Sequence, residues 1–64
     1  MPNFTKAIEL DPNDALAYYN RGLVHKLLGK KAEAIADFEK CIQLSQDPSL
    51  IQAAKQEIEE LQSR

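Results

Sequence analysis

One short stretch of this chain is written twice. Asn3-Phe4-Thr5-Lys6-Ala7-Ile8-Glu9-Leu10 returns thirty-four positions later as Asp37-Phe38-Glu39-Lys40-Cys41-Ile42-Gln43-Leu44, with Phe, Lys, Ile and Leu kept. An offset of that size spans two helices and their joints, so the chain reads as part of an array of a repeated two-helix unit. The residue types agree. Ala, Leu, Glu, Lys, Gln and Ile dominate, and the breakers Pro2, Pro12, Gly22, Gly29 and Pro48 are few. The expected class is all-α.

The breakers divide the chain into four blocks. Residues 3–10 make about two helical turns, with Phe4, Ala7 and Ile8 at helical spacing, and Asp11-Pro12 stops them because a residue before proline is pushed out of the helical region. Asn13 or Asp14 then caps a second helix over residues 15–28, and Gly29 closes it with a left-handed turn. A third helix covers residues 31–45. Asp47 as N-cap and Pro48 at the first helical position start a fourth, which runs to about Gln62.

Apolar residues placed at about 100° per residue show how each helix is used. In the third, Ala34, Ile35, Phe38, Cys41 and Ile42 share a face, with Glu33, Asp37 and Lys40 opposite. In the fourth, Leu50, Ile51, Ala54, Ile58 and Leu61 form a stripe, and Glu57, Glu59 and Glu60 belong to a solvated side. The second is apolar nearly all round: Leu16, Tyr19, Leu23 and Leu27 on one side, Ala17, Tyr18, Val24, His25 and Leu28 on the other. A helix of that kind needs cover on both sides, more than one hairpin partner supplies.

Several function classes fall away. The net charge is −2 with both signs interspersed, so the basic footprint of a nucleic-acid binder is missing. No apolar run approaches the roughly 18 residues of a membrane span. His25 is the single histidine and Cys41 the single cysteine, which gives no metal constellation, no catalytic triad and no disulfide; no cofactor is expected. A lone thiol fits a reducing, cytoplasmic setting. Cys41 is expected to be buried and inert.

Residues 15–46 resemble one complete tetratricopeptide repeat. Its large-residue, glycine, alanine and aromatic landmarks fall on Tyr18, Gly22, Ala34 and Phe38, and residues 3–13 resemble the end of a preceding repeat, with the family's proline at Pro12. Arg21 and His25 depart from the family pattern, which prefers leucine and an aromatic there, and Gln46 stands where a proline is usual. Residues 48–63 lack the landmarks of a new repeat and read as a capping helix. The resemblance implies a fragment of an α-α superhelical array, one domain over residues 1–64, cut from a longer protein because the opening helix is so short.

The resemblance also implies a protein-interaction module with no enzymatic activity. The first helix of each repeat lines a concave groove in this family, which places Leu16, Tyr19, Asn20, Leu23, Lys26 and Leu27 toward a peptide or protein partner. Asn20 stands where several members use an asparagine to hold a peptide backbone or terminal carboxylate; a carboxylate clamp needs basic residues from several repeats. An alternative is self-assembly. About one and a half repeats fall short of the three that arrays normally need, so the open end at Phe4, Ile8 and Leu10 is expected to seek another copy as a homo-oligomer.

Overall fold

The computed structural model describes residues 13–63. Three helices follow one another: α1 (Ala15–Leu27), α2 (Lys31–Leu44) and α3 (Pro48–Gln62). No strand occurs among the described residues. The fold is all-α, an antiparallel hairpin of α1 and α2 with α3 laid against α2.

The joints are made by the residues that local chemistry favours. Asp14 caps α1, its carboxylate accepting from the backbone N–H groups of Leu16 at 3.1 Å and Ala17 at 3.3 Å. At the other end Gly29 has φ +77°, Lys30 N–H donates to the His25 carbonyl at 2.8 Å and Gly29 N–H to that of Lys26 at 3.1 Å. That pair of bonds is a Schellman motif, which satisfies carbonyls the helix would otherwise leave open. Ser45 turns extended after α2, and its hydroxyl oxygen accepts from Asp47 N–H at 3.0 Å. Asp47 then caps α3 through Ser49 N–H at 2.9 Å, with Pro48 just inside the helix.

The helix α2 is central. Its Ala34, Phe38 and Cys41 join Ala54 and Leu61 of α3 in the buried core, with Tyr18, Tyr19, Leu23, Ile35, Ile42, Leu50 and Ile58 packed around it. The close approach of α1 and α2 depends on Gly22: a methyl group there would stand 2.8 Å from Phe38 Cε1. Phe38 is fully buried, and Tyr19 meets its ring edge-on with centroids 5.5 Å apart.

Two acidic residues expected in solvent lie instead at the borders of their helices' apolar stripes. Asp37, expected on the solvent side of its helix, is only 5% exposed. Glu57, expected on a solvated side, is half-buried against Lys26 of α1. Both point into seams between helices, where a cation from α1 meets them.

Candidate functional site

The structure divides the set of α1 residues expected to face a partner. Leu16 is 54% exposed and Leu27 85% exposed, on the same side of the helix, with Asn20 half-buried between them. Tyr19 and Leu23 turn inward and pack against the core. About 60° of helical rotation separates Leu16 from Tyr19, enough to send one to water and the other to Phe38.

Lys26 is held by the last helix. Its ammonium donates to Glu57 Oε2 at 2.6 Å and lies 3.4 Å from Glu60 Oε2. The bond to Glu57 raises its pKa. The Tyr19 phenol is also pushed up, first by burial and then by the Glu57 charge. Leu28, 58% exposed and assigned from sequence to the opposite stripe, joins Leu27 at the end of α1. Phe4, Ile8 and Leu10, the expected self-association residues, lie outside the described residues.

The opposite flank of α1 carries a polar cluster. Arg21 forks onto Asp37, Nε to Oδ2 at 2.9 Å and Nη2 to Oδ1 at 2.7 Å, while its guanidinium carbon lies 5.5 Å from the Tyr18 ring centre. The hydrogen bond to Asp37 raises the arginine pKa further. His25 Nε2 stands 3.4 Å from the same carboxylate, and its Nδ1 is buried with no hydrogen-bond partner. Sequence spacing gives no sign of this cluster, because Asp37 arrives from another helix. Among the described residues no group of three or more His, Cys, Asp or Glu is placed to hold a metal ion. Cys41 is fully buried, and burial raises its pKa.

No described helix is long and apolar enough to cross a membrane. Over 53 residues the chain is 42% identical to the mitochondrial import receptor subunit TOM70 of Homo sapiens, an alignment covering 83% of this chain and 9% of the receptor. It is 45% identical over 47 residues to the Hsp70-Hsp90 organizing protein 3 of Arabidopsis thaliana, covering 73% of this chain and 8% of that protein. To the SGT1 homolog of Bos taurus it is 39% identical over 49 residues, 77% of this chain and 14% of the relative. The chain thus spans about a tenth of the length of the curated relatives it matches. No solved structure matches it significantly. The sequence profile of the tetratricopeptide repeat matches residues 15–48, which are the hairpin of α1 and α2 and the start of α3, and the chain belongs to that family of protein-interaction repeats.

Proposed function

We propose that this chain binds a peptide or protein partner along the outer side of α1, through Leu16, Asn20 and Leu27 with Leu23 and Tyr19 as the floor. The observation that carries the reading is the exposure of Leu16 and Leu27 on one side of a helix whose Tyr18, Tyr19 and Leu23 are packed against the core. Covering what is still exposed of the two leucines contributes roughly 2–4 kcal/mol before the cost of association. One module therefore binds weakly, and neighbouring repeats would be needed for tight capture. The relatives point the same way: an import receptor and an Hsp70-Hsp90 organizing protein are named for handling other proteins.

Binding rather than catalysis fits the titratable residues. Arg21 and Asp37 are engaged in holding α1 on α2, with His25 beside them, and Lys26, Glu57 and Glu60 in holding α3. Asn20 would give direction by hydrogen bonds to a partner backbone. Self-association is the second reading, favoured by the adjacent exposed leucines Leu27 and Leu28, which a second copy could cover.

The test is a Leu16→Ala/Leu27→Ala chain compared with the wild type in capture of identified partners and in sedimentation. Both residues are exposed, so helicity should be kept. Loss of partners with an unchanged mass supports the proposal. Partners retained at full strength would overturn it. A wild-type dimer dissociated by the same pair of changes would favour self-association.

A further inference from the structure

Leu16, Asn20, Leu23 and Leu27 follow one another at intervals of four, three and four residues. That is the spacing of a helix-to-helix seam, with Asn20 as a single polar position of the kind that fixes register. From Leu16 to Leu27 the seam is roughly 16 Å long, about three turns of a partner helix. The half-buried Leu23 roots it in the core and the two outer leucines stand free of it.

The charges along its edge decide what kind of helix fits. Lys26 is the one cation among the face residues, and it is already shared by two carboxylates, Glu57 at 2.6 Å and Glu60 at 3.4 Å. One ammonium between two carboxylates leaves an excess of one negative charge. Glu60 keeps 57% of its side chain exposed, so that charge is felt in solvent, whereas the exposed Glu59 has Lys55 one turn before it and adds little. Lys30 and Lys31 come after the Gly29 turn, past the end of α1, and Glu33 follows them closely. An acidic segment approaching the seam would meet Glu60, and among the described residues of the face no ammonium is uncommitted.

We propose that the α1 seam docks an amphipathic helix whose apolar stripe is flanked by basic side chains, and that it discriminates against segments with acidic flanks. The inference rests on the interaction-face reading above. Lysines or arginines of such a helix would reach the Glu57–Glu60 edge while its leucines cover Leu16 and Leu27.

Two end-blocked synthetic helical peptides with the same leucine stripe, one flanked by lysines and one by glutamates, test this by calorimetric titration into the 64-residue chain. The lysine peptide is expected to bind roughly tenfold tighter at low salt, as the sum of an attraction gained and a repulsion avoided. The preference should shrink at high salt and in Glu60→Gln, a change that leaves the Lys26–Glu57 bond in place and whose folding is checked by helical circular dichroism. Equal affinities, or a preference for the glutamate peptide, with binding still lost in Leu16→Ala/Leu27→Ala, would overturn the charge selection and leave the face standing. If neither peptide binds, or both bind regardless of those leucines, the face and the selection fail together.

Discussion

Arg21 of α1 and Asp37 of α2 are joined by two parallel hydrogen bonds, 2.9 and 2.7 Å long, in a seam where the carboxylate is almost entirely buried. Removing one partner of such a pair costs far more than removing both, because it strands a charge without water. Arg21→Leu, the residue the family prefers, is expected to destabilise the fold by roughly 2–4 kcal/mol in urea titration. Arg21→Leu/Asp37→Ala should recover most of that loss. A double variant as unstable as the single would show that the arginine acts through packing on Tyr18 instead.

Gly22 and Gly29 should respond differently to alanine. At Gly22 the new methyl group meets the fully buried Phe38 ring at 2.8–3.0 Å, so the ring or the helix has to shift within the core. Overpacking of about 1–3 kcal/mol outweighs a helix-propensity gain of about 1 kcal/mol, so Gly22→Ala destabilises. Combining it with Phe38→Leu should make the two effects clearly non-additive. At Gly29 nothing lies within 4 Å but φ is +77°, so Gly29→Ala costs about 1 kcal/mol from backbone strain and is additive with Phe38→Leu.

His25 offers a route to a more stable hairpin. A buried, unpartnered Nδ1 costs about 1–3 kcal/mol, against which a 3.4 Å approach to a carboxylate already gripped by Arg21 returns little. His25→Phe is expected to raise the melting temperature by about 4–8 °C, the shift that about 1 kcal/mol produces in a domain of this size. A lower melting temperature would mean that the imidazole is a working partner of Asp37.

Stability should fall on the alkaline side. Burial holds the Cys41 thiol above its ordinary 9.0, burial and Glu57 hold the Tyr19 phenol above 10.0, and Glu57 holds the Lys26 ammonium above 10.5. In each case the unfolded chain gives up its proton first. Stability is therefore complete below about pH 9 and is lost as pH rises through the folded values. Urea midpoints measured against pH should begin to drop near pH 9 in the wild type and nearer pH 10 in Cys41→Ala. Superimposable profiles would remove the thiol from the explanation.

The parts legible in the sequence are those set by local chemistry or by period. Asp14, Asp47 and Pro48 at helix starts and Gly29 at a helix end can be seen because the motif and the structure it makes occupy neighbouring residues. The burial of Phe38, Cys41 and Ala54 follows from helical spacing. The seams were hidden. At about 100° per residue Asp37 and Glu57 fall at the edges of their apolar stripes, beside Cys41 and Leu50, where the pattern alone does not decide between water and a seam, and their partners are 16 and 31 residues away, so only the crossing of the helices shows that a cation is waiting. The same crossing separates Tyr19 and Leu23 from Leu16 and Leu27, which one stripe on paper could not distinguish.

The fully buried Phe38 ring lies close to the bare backbone at Gly22 and 5.5 Å from the Tyr19 ring, and a ring packed in that way turns only when its neighbours give way. A half-turn of the ring requires α1 and α2 to part for an instant. The exchange of its two edges, resolved by nuclear magnetic resonance, is thus a clock that counts the breathing of the repeat itself.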